Sequence, residues 1–264
     1  MVGDQNQLPA YADAEVSPTL AKLTKNPDYR LFDILYNSLP DTHKQILTTQ
    51  YRMIENIGNL ISKVFYNGII DTGCNDDEKQ HGLSRYRGKS IVWFDTSANE
   101  KKSQKRTKGG SYINEEEKRI TLEILDDLKT TGELNGLDIG IITGYSGQKE
   151  LLRKSIKATG LDKIASRIDI NTLDAFQGRE NDIIIYSTVR TRDSIGFQKE
   201  KERVNVAFSR AKKLLIICGD KNFFYNFDDQ DNKFVEIIDY ISEGEKCEII
   251  QCDGGKLFER KSNS

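Results

Sequence analysis

Several residue types are scarce in this 264-residue sequence, and each scarcity argues against a class of structure. There are only four prolines and no long low-complexity run, so the chain as a whole is not expected to be disordered. The four cysteines, at positions 74, 218, 247 and 252, are scattered, which predicts reduced thiols rather than a disulfide framework. Cys247 and Cys252 can be neighbours in space, but two thiols without a nearby histidine make a weak metal site.

Long apolar runs and a charge of one sign are also missing. No apolar stretch approaches membrane-spanning length, and the N-terminal "MVGDQNQLPAYADAEV" lacks the basic-then-apolar pattern of a signal peptide. The sequence therefore predicts a cytoplasmic protein without a membrane partner. The formal net charge of −2 argues against a wholly basic nucleic-acid coat, yet it is compatible with a local basic groove.

Apolar spacing indicates strands alternating with helices. Helical spacing occurs at residues 53–65, 114–132, 146–160, 200–212 and 234–241. Short apolar runs without helical period occur at residues 90–95, 138–144, 167–173, 182–189 and 214–220. Asn114 and Ser146 are candidate caps of their helices. This alternation predicts an α/β fold with a mostly parallel sheet covered on both faces, in which ligands sit at the carboxyl ends of strands.

One segment breaks the alternation. Residues 99–111, "NEKKSQKRTKGGS", are polar and strongly basic and contain two glycines. A solvated, flexible loop is the favoured interpretation. The alternative is a basic loop that contacts a phosphate backbone.

Five stretches carry candidate chemistry: residues 3–9, 50–53, 140–148, 171–182 and 202–212. In the last, "ERVNVAFSRAK", a helical apolar stripe would place Arg203 and Arg210, seven residues apart, together at its edge. Arginine suits bidentate phosphate contact, although such a pair alone is more often solvated surface charge.

The other stretches have comparable alternatives. In "NTLDAFQGREND", Gly178 allows close backbone approach, and Gln177 and Glu180 can bond a sugar hydroxyl or a water; the alternative is a tight connection capped by Asp174. Tyr51 and Arg52 place a flat ring beside a cation at a helix start.

In "GIITGYSGQ", residues 140–148, polar side chains follow a central strand. Thr143 and Gln148 can bond a nucleic-acid backbone there, and a base can stack on Tyr145. Ordinary helix capping by Ser146 is the alternative.

Taken in order, the five stretches resemble the superfamily 1 (1B) helicases of the nonsense-mediated-decay and senataxin type, in their second, C-terminal RecA-like domain. "VGDQNQLPAY" resembles motif III, and "LTTQYRMIENIGNLISKVFYNG" resembles motif IV with its helix. "IGIITGYSGQ" matches the family's "IGxITPYxxQ". "TLDAFQGRENDIII" resembles motif V, and "ERVNVAFSRAK" resembles motif VI. The resemblance covers residues 1 to about 227 and implies a RecA-like three-layer α/β/α fold.

The resemblance also implies roles for individual residues. In the family, ATP and Mg²⁺ sit between two RecA-like domains, and the second domain supplies arginines to the γ-phosphate. Arg210 would be the arginine finger, Arg52 a second phosphate contact, and Gln7 the link between nucleotide and domain movement. The nucleotide-binding set would be Tyr51, Gly178, Glu180 and Arg203. The single-stranded DNA or RNA track would be lined by Thr143, Tyr145, Gln148 and Thr172.

Two departures and one absence qualify the match. Gly144 replaces the family's proline, and Glu202 replaces the first arginine of motif VI. No G-x-x-x-x-G-K-[ST] phosphate loop is found, and motif III begins at residue 2. We therefore expect residues 1–25 to be a weakly anchored remnant of a first RecA-like domain. Residues 26–264 would form the second domain.

These expectations lead to one leading hypothesis and two alternatives. The leading one is half of an ATP-dependent helicase site, monomeric and without ATPase activity when the first RecA-like domain is absent. The alternative from another class is a non-catalytic RecA-like module that binds nucleic acid or protein. A small-molecule enzyme has little support, because the only histidines, His43 and His81, form no dyad.

Overall fold

The computed structural model describes most of the chain: residues 3–8, 31–133, 136–161, 167–176 and 178–258, without the side chains of residues 31, 33 and 78. The strands are β1 (Thr49–Gln50), β2 (Asp71–Thr72), β3 (Ile91–Asp95), β4 (Lys105–Arg106), β5 (Tyr112–Ile113), β6 (Ile139–Thr143), β7 (Ile168–Thr172), β8 (Asn181–Ser187), β9 (Ala211–Gly219) and β10 (Cys247–Gln251). The helices are α1 (Leu31–Ser38), α2 (Glu55–Phe65), α3 (Glu115–Thr130), α4 (Ser146–Ala158), α5 (Lys201–Phe208), α6 (Lys221–Tyr225) and α7 (Phe234–Glu243).

A six-stranded sheet in the order β10-β3-β9-β8-β6-β7 forms the centre of the molecule, and every neighbouring pair is parallel. Its inner strands are apolar on both faces because helices cover both sides. On β9, Leu215 and Ile217 face the core under α2, α5 and α7, whereas Leu214 and Ile216 face the core under α3 and α4. The predicted three-layer α/β/α fold with a mostly parallel sheet is confirmed.

Some predicted element boundaries were wrong. Ser146 is the first helical residue of α4 and not its cap; Tyr145 occupies the cap position without a side-chain bond. The helix predicted at 200–212 ends at Phe208, because residues from Ala211 onward pair with β3 and β8. Asn114 does cap α3, with its side chain accepting from the backbone N–H groups of Glu116 and Glu117.

The segment from Leu173 to Glu180 connects β7 to β8 and passes over β6. Parallel strands require such a connection to return from the carboxyl edge of the sheet to its amino edge. Phe176 packs over Gly140 of β6, where an added Cβ atom would lie 2.7 Å from the Phe176 ring. The opening of this segment therefore lies at one edge of the sheet and its end at the other.

The basic segment 99–111 is not irregular throughout. Its Lys105–Arg106 pair forms β4, which runs antiparallel to β5 as a two-stranded ribbon. The prediction that residues 1–25 are weakly anchored concerns mostly residues outside the described ones. Within residues 3–8, Asp4 contacts Tyr66, the residue after α2, and Asn6 contacts Asn205 of α5. No helix in the described parts of the chain is long and apolar enough to cross a membrane.

Candidate functional site

Three of the residues predicted to contact the nucleotide meet at the amino edge of the sheet. Glu180 precedes β8, Arg210 precedes β9, and Arg52 lies just before α2. The Arg52 Nε donates to Glu180 Oε2 at 2.7 Å, and both side chains remain partly open to solvent. Arg52 also donates to the backbone carbonyl of Ser209 at 3.4 Å, which ties it to the residue before Arg210.

Arg210 is the buried member of this cluster and is only 3% exposed. Its guanidinium donates to the carbonyls of Val206 and Arg179 and to the Ser209 hydroxyl, all neutral acceptors. No carboxylate within the described residues forms an ion pair with it. Burial and then the charge of Arg52 lower the pKa of Arg210 to about 10, and Glu180 offsets part of this. The cluster therefore holds excess positive charge that suits an anion.

Motif III docks beside this cluster. Gln7 Nε2 donates to Asp4 Oδ2 at 2.9 Å, and the Tyr66 hydroxyl donates to the same oxygen at 2.5 Å. Asn205 of α5 donates to the Asn6 carbonyl at 2.6 Å. Burial and the Asp4 carboxylate raise the pKa of Tyr66 well above its usual range, so the phenol remains a donor. Gln7 is thus held beside Asp4 and Tyr66, at the end of α2.

Tyr51 and Gly178 offer open surface next to the cluster. Tyr51 is 68% exposed, and its ring lies over Gly73, which has no side chain to displace it. Gly178 has φ +81°, a conformation that favours glycine, and no atom lies within 4 Å of an added Cβ. Gln177 lies outside the described residues.

Arg203 does not join Arg210, and the prediction that they lie together was wrong. Because α5 ends at Phe208, Arg210 lies beyond the helix, near the amino edge of the sheet. Arg203 sits in the first turn of α5, where it pairs with Glu200 at 2.8 Å and Asp174 at 3.3 Å. Its guanidinium also lies 5.0 Å from the centre of the Phe197 ring.

The residues predicted to line a nucleic-acid track lie at the carboxyl edge but differ in accessibility. Thr143 and Gln148 are fully buried. The Gln148 amide donates to the Asn114 carbonyl and to the Ser187 hydroxyl, both at 3.1 Å. Neither side chain can reach a ligand in this structure, so their direct contact with nucleic acid stays a prediction. Thr172, in register with Thr143, is partly exposed.

An aromatic row that sequence patterns did not reveal lies at the same edge. Tyr145, nearly buried, packs against Tyr112 with ring centres 5.7 Å apart and against Phe197 at 5.5 Å. Phe197 is 46% exposed and presents a flat apolar ring to solvent. In the sequence it is a single aromatic in "SIGFQ", with no periodicity that could single it out.

Glu117 lies beneath this edge and was also missed, because a glutamate in the first turn of a helix is ordinarily explained by the helix dipole alone. Its buried carboxylate accepts from the hydroxyls of Ser187 and Thr188 and from the Val189 N–H. These bonds hold Val189 at φ 69°, a strained conformation for a β-branched residue. Burial raises the pKa of Glu117 to about 7, against the lowering effect of these bonds.

The two groups of candidate residues occupy opposite edges of the sheet. β8 runs from Asn181, beside the Arg52–Glu180–Arg210 cluster, to Ser187, beside Thr143. At about 3.3 Å per residue, the edges are about 20 Å apart. The expectation that ligands sit at the carboxyl ends therefore fits the aromatic row and Thr172 but not the arginine cluster. No group of three or more His, Cys, Asp or Glu side chains in the described regions is placed to hold a metal ion.

Comparisons with known proteins assign the chain to a family. The family described as AAA domain (AAA_12) matches residues 28–222. An uncharacterized ATP-dependent helicase of Methanocaldococcus jannaschii is 30% identical over 95% of this chain and 36% of that protein. Helicase sen1 of Schizosaccharomyces pombe is 32% identical over 83% of this chain and 13% of its own length. Regulator of nonsense transcripts 1 of Dictyostelium discoideum is 34% identical over 67% of this chain and 14% of its own length.

The chain thus spans 36% or less of the length of these three relatives. Among solved structures, the C-terminal domain of a possible DNA helicase from Lactobacillus matches 65% of this chain and 88% of its own, with 14% identity and a TM-score of 0.39. A superposition this loose adds nothing to the fold seen directly in the sheet. The family match and the relatives together show that the chain belongs to the AAA domain family and is a superfamily 1B helicase domain of the nonsense-mediated-decay and senataxin-like type.

Proposed function

We propose that this chain is the second RecA-like domain of an ATP-dependent helicase and supplies half of its nucleotide site. The observation that carries this proposal is the Arg52–Glu180–Arg210 cluster, in which two guanidinium groups lie near a single carboxylate that is bonded to Arg52 alone. A site built this way attracts phosphate oxygens and stabilises the charge on a transferring phosphoryl group.

Each member of the cluster has a distinct part in this proposal. Arg210, fixed by three hydrogen bonds, is the arginine finger, and the more exposed Arg52 is the second γ-phosphate contact. Glu180 exchanges its bond with Arg52 for one with a ribose hydroxyl. The exposed ring of Tyr51 packs against the base, and the bare backbone at Gly178 allows close approach. Gln7 links the γ-phosphate to motif III.

The described residues can bind the phosphates of ATP, but they do not form a set of ligands for its Mg²⁺ ion. ATP brings the phosphoryl group and Mg²⁺ neutralises its charge, and the first RecA-like domain of the family would supply the magnesium ligands. The residues of this chain bind and orient the phosphates and hold positive charge at them. We expect the 264-residue chain alone to hydrolyse no ATP, because it has no phosphate loop.

The carboxyl edge would carry the single-stranded nucleic acid, either DNA or RNA. Thr172 and the exposed ring of Phe197 form its accessible surface, and the buried Tyr145, Thr143 and Gln148 support that surface from below. A base can stack on Phe197 without sequence preference. The segment 173–180 then connects the nucleic-acid edge to the nucleotide edge, which gives a translocating motor a direct mechanical link.

Nucleotide binding by the chain tests the proposal. A fluorescent ATP analogue should bind weakly to the wild type, and Arg210→Ala and Arg52→Ala should each reduce the affinity about tenfold or more, because each removes a charge-assisted phosphate contact. Arg203→Ala is the matched control: it removes an arginine of the same motif from the opposite edge and should bind like wild type. Equal binding by all four proteins would refute the nucleotide role. It would favour a non-catalytic RecA-like binding module instead.

A further inference from the structure

The β4–β5 ribbon is built as a defined projection at the carboxyl edge of the sheet. Thr107 N–H donates to the Ser111 carbonyl at 2.8 Å, and Gly110 N–H donates to the Thr107 carbonyl at 3.0 Å, which closes its turn. At its base, Gln104 and Thr191 exchange hydrogen bonds at 3.0 and 3.1 Å. The ribbon is therefore held against the segment that follows β8.

The two faces of the ribbon have different surroundings. In this antiparallel pair Arg106 lies opposite Tyr112, and Lys105 lies opposite Ile113, so the members of each pair share a face. Tyr112 contacts Tyr145 of the aromatic row, and the Arg190 guanidinium lies 4.2 Å from its ring centre. Arg106 thus stands on the face that contains Tyr112 and the proposed nucleic-acid edge.

The Lys105 face borders a cavity of about 670 Å³ beside α3. Equal numbers of cations and carboxylates line this cavity: Lys101, Lys105, Lys118 and Arg119 against Glu115, Glu116, Glu123 and Asp126. Three of these carboxylates are already paired within α3, Glu115 with Lys118, and Glu116 and Glu123 with Arg119. The cavity therefore offers no net charge to an anion.

The face and turn that carry Arg106 and Lys108 do offer uncompensated charge. Both side chains are exposed, and within the described residues neither forms an ion pair. Of the other basic residues in this segment, Lys102 forms an ion pair with Asp220 at 2.8 Å, and Lys101 and Lys105 line the cavity. The surrounding segment has five cations and one carboxylate, Glu100, in a chain whose formal net charge is −2. Positive charge is thus concentrated where the track would continue past the aromatic row.

We propose that Arg106 and Lys108 extend the nucleic-acid track by binding backbone phosphates of the single strand that lies on Phe197 and Thr172. This inference rests on the proposed function, because it assumes that a single strand occupies the carboxyl edge. The ribbon does not recognise base identity, because guanidinium and ammonium groups bind phosphates in any nucleotide sequence. The ribbon increases the affinity for the single strand, and this increase becomes smaller as the salt concentration rises.

The test is fluorescence anisotropy of the 264-residue chain with fluorescein-labelled oligo-dT and oligo-U, each 20 nucleotides, between 50 and 200 mM NaCl. The variant Arg106→Gln/Lys108→Gln is compared with Lys101→Gln/Lys105→Gln, which removes the same charge from the cavity side. Each phosphate contact on a single strand contributes about 0.7 to the slope of log affinity against log salt concentration. This corresponds to about fivefold in affinity at 100 mM salt. The first variant should lose about 25-fold, with a slope shallower by about 1.4, and the second less than threefold.

The outcomes separate this inference from the proposed function. If wild type binds and both double variants weaken equally, or neither weakens, the ribbon inference is overturned while the nucleic-acid edge stands. Failure of wild type to bind either oligonucleotide at 50 mM NaCl overturns the nucleic-acid part of the proposed function and this inference with it. Melting curves by circular dichroism confirm that each variant is folded, since both pairs of substitutions are on the surface.

Discussion

At the scale of single residues, Arg210 combines deep burial with a positive charge that no carboxylate in the described regions neutralises. Such a charge is costly to desolvate, and three neutral hydrogen bonds compensate only part of that cost. A buried charge that costs this much folding free energy is expected where it binds a ligand. This is the reason to propose Arg210, rather than Arg203, as the arginine finger.

The fixed geometry of Arg210 leads to a stability prediction. Arg210→Lys should lower the free energy of unfolding by about 1–3 kcal/mol, because one ammonium cannot span three acceptors and leaves buried groups unpaired. Arg203→Lys, at a mostly surface-paired position, should change it by less than about 0.5 kcal/mol. Urea denaturation measures both. Equal stability of the two variants would show that the bonds of Arg210 contribute little.

Glu117 predicts a pH dependence. Its folded pKa of about 7 lies above its ordinary value of 4.5, so between these values the folded chain binds more protons than the unfolded one. Its contribution to stability is present below about pH 4.5 and is lost as pH rises through about 7. The unfolding free energy of the wild type minus that of Glu117→Gln should therefore fall by about 2–3 kcal/mol between pH 5 and pH 8, as measured by urea denaturation.

The control for this prediction is Glu115→Gln in the same turn of α3. Glu115 is more open to solvent and paired with Lys118, so its substitution removes a carboxylate from the same turn without changing the bonds of Glu117. Comparison with both variants cancels other titrating groups, including His81, whose pKa is lowered by burial. A Glu117→Gln protein with the pH dependence of the wild type would contradict the assignment.

At the scale of elements, the passage of residues 173–180 over β6 depends on a bare backbone at Gly140. An added Cβ atom there would lie 2.6 Å from Ile184 Cδ1, 2.7 Å from Phe176 and 2.8 Å from Asn181. Gly140→Ala should therefore cost about 1–3 kcal/mol of unfolding free energy through overpacking, measured by thermal or urea unfolding.

Gly144 provides the matched control for this element, only four residues away. A Cβ atom at Gly144 would meet Phe197 at 3.7 Å, an ordinary contact. Gly144→Ala should be neutral or stabilise by up to about 1 kcal/mol, because it reduces the freedom of the unfolded chain. If Gly140→Ala were equally well tolerated, the crossover would not be tightly packed on β6.

At the scale of the whole molecule, the two edges of the sheet should behave as independent sites in this chain. Sites about 20 Å apart without shared partners contribute additively to stability. We expect Arg210→Ala to leave oligonucleotide affinity unchanged and Arg106→Gln to leave nucleotide-analogue affinity unchanged. In the double variant, the unfolding free energies should add within about 0.5 kcal/mol. Non-additivity would show that the chain alone couples the edges through residues 173–180.

Part of this molecule could be predicted because its signals are local. The apolar runs of β3, β6, β8 and β9 and the spacing of α2, α3 and α7 predicted the layers, which the structure confirms. The short strands β1, β2, β4 and β5 and the final strand β10 were missed, because a two-residue strand has no measurable period and β10 pairs only with β3, at the edge of the sheet.

The sequence by itself determined the alternation of strands and helices, the order of the five motifs and the resemblance that follows from them. Only the tertiary structure decided which motif residues share an edge. Arg203 and Arg210 are seven residues apart, yet the end of α5 at Phe208 sends them to opposite edges. Gln148 is polar, yet its partners Asn114 and Ser187 bury it. Periodicity is set by near neighbours along the chain, whereas edge and burial depend on residues distant in sequence.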